Sequence, residues 1–208
     1  MKRRRMTGQE RHQQILDAAV DVFAQRGHRS SAMREVADAC GITEPLIYRY
    51  FGSRKELLLA TIRRAAERVL EIWDERVSGL PDALSRIRML ADDDLSDEVC
   101  GLAGGVLLQA RADAGSDGDV CAAVSAGVRL RHHFIRALVL ETQREGKLRA
   151  DVCPDMVAWQ VLGVLLSATM YQRLSVACPP RTVLLEMALR GAIAPGVHGG
   201  IVREASPT

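Results

Sequence analysis

Apolar residues recur at intervals of three and four almost from one end of this chain to the other. Ile15, Ala18, Ala19, Val22 and Phe23 form one such stripe, the signature of an amphipathic helix, and Gly27 follows it as a stop. Two short helices are expected next, over about 33–40 and 44–50. Ser31 stands where it would cap the first and Thr43 where it would cap the second, with Pro45 in a first turn that does not need its N–H. Ser53-Arg54-Lys55-Glu56 reads as a capping box. It opens a long helix carrying Leu58, Ile62, Ala65, Val69, Ile72 and Trp73 on one face. Beyond Gly79-Leu80-Pro81 the pattern predicts helices over about 82–91, 96–112, 118–145, 154–176 and 181–193, separated by Asp-, Gly- and Pro-rich breaks. No segment alternates with period two, so no sheet is expected and the fold class is all-α.

Composition sharpens that picture. Only 4% of the 208 residues are aromatic against 48% apolar, so the core must be aliphatic, which suits helices. The five cysteines (Cys40, Cys100, Cys121, Cys153 and Cys178) are odd in number and include no Cys-x-x-Cys pair. They exclude a disulfide framework and a thiolate zinc cage, and read as reduced thiols, most of them buried, in a cytoplasmic protein. Arg3, Arg4 and Arg5 follow Lys2 without an apolar stretch behind them, so a secretory signal is not expected. The longest charge-free run, 156–172, is too short to cross a bilayer, and no membrane partner is expected. The net charge of +2 hides an asymmetry. Residues 1–60 hold eleven Lys or Arg against seven Asp or Glu, whereas residues 61–208 hold seventeen against nineteen. A basic head precedes a slightly acidic body.

Residues 36–47, Val-Ala-Asp-Ala-Cys-Gly-Ile-Thr-Glu-Pro-Leu-Ile, carry the functional signal. Two short helices joined by a tight turn with a glycine are a helix-turn-helix, expected over about 32–51. Ala37 is small enough for the second helix to cross close over the first, and Gly41 can take the left-handed conformation that ends it. Val36, Cys40, Ile42, Ile47 and Tyr50 or Phe51 supply the inner faces, leaving the second helix free to enter a major groove.

The flanks add Ile15-Leu16, Ala19, Phe23, Gly27, Ser31, Tyr48 and the run Ser53-x-Lys55-Glu56-Leu57. Together, over about residues 10–60, they resemble the DNA-binding domain of the TetR (tetracycline repressor) family of bacterial regulators. That resemblance implies about nine helices, a C-terminal domain that binds a small molecule, and a homodimer formed by the last two helices. It assigns residues 1–52 to DNA binding and 53–194 to ligand binding and dimerisation, while 195–208, rich in Gly and Pro, read as a flexible tail. It also places Ser31 and Arg34 at the start of the helix that precedes the turn, and Thr43, Glu44, Pro45, Leu46, Tyr48 and Arg49 on the recognition helix. Tyr48 and Lys55 match phosphate-binding positions, in keeping with hydroxyl, amide and ammonium donors beside helix N-termini. Glu44, Pro45 and Leu46 depart from the Lys, Gly and small polar residues common there. An acidic residue can accept from cytosine N4 and a leucine can touch a thymine methyl.

Other features divide between two readings. Arg3–Arg5 are either a minor-groove arm or a solubilising terminus. Asp92, Asp93 and Asp94 with Asp97 and Glu98 lack the spacing of a calcium loop and read as a capping loop. His132 and His133, being adjacent, cannot share a metal as an i, i+4 pair would. Trp73, Trp159 and Tyr171 lie on helices that the resemblance places around the effector cavity, although core packing explains them as well. Met156, Leu162, Leu166 and Met170, with Gly163 and Ala168, form an apolar surface. Val183, Leu184, Met187 and Ala188 of the last helix would cover it across a two-fold axis. No catalytic constellation, cofactor motif or metal site is present. The resemblance therefore implies a ligand-responsive transcriptional regulator, a repressor released from a palindromic double-stranded operator by a small-molecule effector. The alternative is a small-molecule-binding or enzymatic helical protein whose helix-turn-helix is incidental.

Overall fold

In the computed structural model the described residues are 6–26, 32–92 and 117–197, with positions 95, 99 and 106. They contain eight helices: α1 (Gly8–Arg26), α2 (Ala32–Cys40), α3 (Glu44–Phe51), α4 (Arg54–Val77), α5 (Ala83–Met89), α6 (Gly118–Arg144), α7 (Pro154–Arg173) and α8 (Arg181–Leu189). No strand occurs among the described residues. Leu148 and Ile193 form an isolated antiparallel bridge. The chain is all-α.

The helices form two compact units, Met1–Glu71 with Val99–Arg129, and Ile72–Glu98 with Leu130–Thr208. Helices α4 and α6 each begin in the first unit and end in the second. The residue-52 boundary drawn from the sequence thus falls inside the first unit, because the start of α4 is needed to close the core around the helix-turn-helix.

That core is aliphatic as the composition requires. Ile15, Ala19, Val20 and Phe23 of α1 meet Met33, Val36 and Ala37 of α2, Ile47 of α3, and Leu57, Leu58, Ile62 and Ala65 of α4. Each larger side chain withdrawn from water contributes about 1.5–3 kcal/mol before ordering costs are subtracted. Charged pairs set α4 along α1: Arg64 Nε donates to Asp17 Oδ1 at 3.0 Å, and Arg68 Nη1 to Asp21 Oδ1 at 3.0 Å. Arg64 also donates to Glu71 at 2.7 Å, and this bond, ahead of the one to Asp17, pushes the guanidinium pKa up. Close approach of α6 to α4 needs Gly127, where an added Cβ would stand 3.0 Å from Cβ of Ala66.

In the second unit Trp73 packs against Phe134 with ring centroids 5.7 Å apart. Leu84 and Ile87 of α5, Ile135 and Val139 of α6, Val161 and Leu162 of α7, and Leu185 and Leu189 of α8 are buried. Arg88 Nε donates to Glu186 Oε1 at 2.6 Å, tying α5 to α8, and Arg86 reaches Glu141 of α6 at 3.1 Å. Asp82 caps α5, its Oδ1 accepting from the Ser85 N–H at 2.9 Å, and it pairs with Lys147 at 3.0 Å. Burial alone would raise the Asp82 carboxyl, but the bonds from Ser85 and Lys147 outweigh it and hold the pKa at about 2.

Several expectations need correction. Helix α8 stops at Leu189, short of residue 193, because Ala192 and Lys147 carbonyls accept the Arg149 and Ala194 N–H groups and draw the chain into the bridge. Helix α7 stops at Arg173, short of residue 176, where Ser175 turns to φ +52° and the Val176 N–H bonds back to the Tyr171 carbonyl. Helix α5 covers 83–89 of the expected 82–91. Of the helix expected over 96–112, positions 99 and 106 are described and both are helical. Cys40 is buried, its Sγ 3.7 Å from the Gln14 carbonyl and its thiol pKa raised by burial. Cys121, Cys153 and Cys178 are exposed, contrary to the expectation that most cysteines are buried. Each falls on an outer helix face or in a loop rather than on a core stripe. Ser31, Arg3–Arg5, Cys100 and most of 195–208 lie outside the described residues.

Candidate nucleic-acid interface

The turn between α2 and α3 is built by backbone bonds that only a left-handed residue permits. Gly41 has φ +63°, its N–H donates to the Asp38 carbonyl at 3.1 Å, and the Ile42 N–H reaches back to the Ala37 carbonyl at 3.0 Å. These paired bonds end α2 and redirect the chain at a fixed angle. Thr43 follows at the N-cap of α3, but its hydroxyl makes no capping bond. The first turn is closed instead by the Leu46 N–H donating to the Thr43 carbonyl at 3.0 Å. The Thr43 side chain is exposed.

Helix α3 is held from beneath by two residues. Ile47 is fully buried and Phe51 nearly so, with His12 of α1 stacked on Phe51 at 4.5 Å between ring centroids. The remaining positions of α3 face outward or lie at its edges: Pro45, Tyr48 and Arg49 are exposed, and Glu44, Leu46 and Tyr50 are half-buried. The Tyr48 hydroxyl donates to Glu44 Oε1 at 3.4 Å, one turn back on the same helix. Arg34 is exposed on α2. Gly52, at φ +73°, then makes a three-residue turn in which the Ser53 N–H donates to the Phe51 carbonyl at 2.8 Å. Ser53 Oγ accepts from the Glu56 N–H at 3.1 Å and starts α4. That is half of the expected capping box, since the Ser53 N–H is taken by Phe51.

Lys55, in the first turn of α4, is not a free cation. Its ammonium lies 2.9 Å from Asp117 Oδ2 and 2.7 Å from Asp119 Oδ2. Hydrogen bonds to Asp119 and then Asp117 hold its pKa above the ordinary lysine value, and Lys55 in turn lowers that of Asp117. Asp117 is fixed independently, because its Oδ1 accepts from the Asp119 and Val120 N–H groups at the start of α6. A phosphate that recruits Lys55 must therefore compete with two carboxylates. Sequence reasoning missed this pairing, since the two segments are far apart along the chain.

The structure separates the remaining predicted residues. Trp73 is buried in the second unit, whereas Trp159 and Tyr171 are 47% and 40% exposed on α7. Trp159 stacks on the ring of buried His132 at 4.3 Å between centroids, and His133 is exposed. Met156, Leu166 and Met170 stand on the outer face of α7 and Met187 on that of α8, while Val183 and Leu184 are half-buried. Leu162 does not share that face. It is 1% exposed, as is Ala168, and both belong to the protomer's own core. The outward stripe runs through 156, 159, 163, 166 and 170, so Gly163 lies where expected, Trp159 joins the surface, and Leu162 and Ala168 leave it. Sequence reasoning also missed Arg131, which is 2% exposed on the inner face of α6.

A compact head that presents a short helix with outward hydroxyl and guanidinium donors, braced by a glycine-pinned turn, is a helix-turn-helix DNA-binding module. Residues 15–61 match the family model of the bacterial regulatory proteins, tetR family. The transcriptional activator FasR of Mycolicibacterium smegmatis is 39% identical over 80 residues, which span 38% of this chain and 33% of that protein. The transcriptional regulator UidR of Escherichia coli is 24% identical over 155 residues, covering 74% of this chain and 76% of UidR. Among solved structures, a TetR-family regulator from Cytophaga hutchinsonii shares the fold at a TM-score of 0.78 and 14% identity, with 91% and 98% of the two chains covered. FadR of Bacillus subtilis, solved in complex with stearoyl-CoA, aligns at a TM-score of 0.68 and 17% identity over 90% and 100% of the chains. Residues 15–61 thus carry a DNA-binding domain of the tetR-family type, and the chain as a whole is similar to TetR-family transcriptional regulators.

Proposed function

We propose that this protein is a cytoplasmic, homodimeric repressor that leaves an approximately palindromic operator when a small-molecule effector binds within residues 53–194, and that it carries out no catalysis. The observation that carries the reading is the outward surface of α3. Thr43, Tyr48 and Arg49 are exposed donors on a helix whose inner residues Ile47 and Phe51 are locked. Arg49 and the half-buried Glu44 and Leu46 are then the base readers, and Thr43, Tyr48, Lys55, Ser31 and Arg34 the phosphate contacts. Pro45 sets the first turn.

Dimerisation through α7 and α8 accounts for the row Met156, Trp159, Leu166 and Met170 and for Met187, large apolar side chains that water would otherwise cover. A two-fold dimer reads half-sites separated by about 34–36 Å or a multiple of it. No described helix is long and apolar enough to cross a membrane.

Selection of bound fragments from a random duplex pool tests it directly. Recovery of an inverted repeat with one half-site per protomer is the expected outcome. Recovery of no consensus, with equal affinity for all fragments, would overturn it.

A further inference from the structure

Buried polar side chains in this fold are satisfied, with one exception among the described residues. Thr61 and Thr142 donate to carbonyls one turn back, at 2.7 Å each, and His132 Nε2 lies 3.4 Å from the Asp155 carbonyl. Arg131 is 2% exposed, and its buried Nε and Nη2 have no hydrogen-bond partner. Burial pushes its pKa down to about 10, which leaves it charged at neutral pH. A cation in a low-dielectric site without a counter-charge destabilises the apo fold. The same helix could have placed an aliphatic residue there at no such cost.

The surroundings define what is missing. Arg131 projects from the inner face of α6 in line with Ile135 and Val139, both fully buried. Phe134, three residues along, packs on Trp73. A guanidinium offers a planar fork of donors that matches a carboxylate in bidentate fashion. We propose that Arg131 is the anchor of the effector site and that the effector is a small organic carboxylate with an apolar body. This rests on the reading of residues 53–194 as the ligand-binding region. It goes further by naming the anchoring residue and the ligand's charge.

The test is thermal unfolding of the full-length protein with butyrate, octanoate, dodecanoate, benzoate and phenylacetate, each beside its neutral primary amide. At least one carboxylate is expected to raise Tm by several degrees while its amide does not. In Arg131→Met the ligand-free Tm is expected to rise above wild type and the carboxylate effect to vanish, whereas Arg131→Lys retains a weakened shift. The proposal is overturned if amides act as well as acids, if no acid acts, or if acetate and chloride act equally well and show an adventitious ion only. It is also overturned if Arg131→Met lowers the ligand-free Tm, because the guanidinium would then be paired within the fold. A gel shift on selected DNA separates this from the wider reading. The active carboxylate should release wild type and not Arg131→Met. Absence of any sequence-specific complex would defeat the repressor reading while leaving the thermal result standing.

Discussion

Helices α3 and α7 use their apolar residues in opposite ways. In α3 two side chains, Ile47 and Phe51, are buried, and the outward positions carry a hydroxyl, a guanidinium and a carboxylate. In α7 Val157, Ala158, Val161, Leu162, Leu165 and Ala168 are buried, yet Met156, Trp159, Leu166 and Met170 stand outside. An outward face that is polar tells which side of a helix is the core. Where both faces are apolar, periodicity locates the helix but not its orientation, and a second solvent-excluding partner is implied. The head is therefore complete as a fold and open toward DNA, whereas α7 carries a surplus of apolar surface.

Two leucines one turn apart offer the strongest way to break that contrast. Leu162→Ala should cost about 2–5 kcal/mol in urea unfolding, since it opens a cavity in the core. Leu166→Glu should change protomer stability by about 0.5 kcal/mol or less, because the residue is 40% exposed. It should nevertheless convert dimer to monomer in light scattering and weaken operator binding. Equal losses at every protein concentration would mean that α7 has no distinct outer face.

Legibility in the sequence follows the same divide. The helix-turn-helix could be read because the turn at Gly41 acts through backbone bonds that span three to five positions, and Ile47 and Phe51 fall on one face of a short helix. Leu162 was misplaced because 159, 162, 163 and 166 are all apolar or small, and only the tertiary packing says which of them turn inward. Arg131 was missed because an arginine on a long amphipathic helix reads as solvent-facing until the buried positions 127, 131 and 135 are seen to align. The Lys55 pair was missed for a third reason: no local rule joins the start of α4 to the start of α6.

Gly41→Ala tests how firmly the head's local rules act. At φ +63° a Cβ meets no neighbour, so the whole cost is backbone strain, about 1–2 kcal/mol by thermal unfolding. A neutral result would show that the turn relaxes without it.

Caps give a smaller comparison between the two units. Asp82→Ala should cost about 1 kcal/mol, because its carboxylate accepts from Ser85 in the second unit. Thr43→Ala should cost about 0.5 kcal/mol or less, since its hydroxyl caps nothing, yet it should weaken DNA binding. The Asp82 pKa is depressed in the fold, so its contribution is complete above about pH 4, the ordinary carboxyl range, and is lost as pH falls through about 2. Acid titration of Asp82→Asn, which keeps the capping oxygen, should show a flatter loss over that window.

The smallest expected effect concerns Lys55. If it contacts a phosphate, Lys55→Ala should reduce the salt slope of DNA binding by about one without altering the preferred sequence. Asp117 and Asp119 already neutralise that ammonium, so forming the contact trades one ion pair for another, and the net gain in affinity must be modest. Asp117→Asn with Asp119→Asn should then tighten binding a few-fold. Asn at 117 preserves the cap at the start of α6, so the helix itself is not disturbed. The gain should disappear when Lys55→Ala is added, because the carboxylates then have nothing to restrain. If the gain persists in the triple variant, the carboxylates act on DNA by general repulsion and Lys55 is a structural residue. If it disappears, the first turn of α6, the helix that also carries Arg131, restrains a DNA contact of the head.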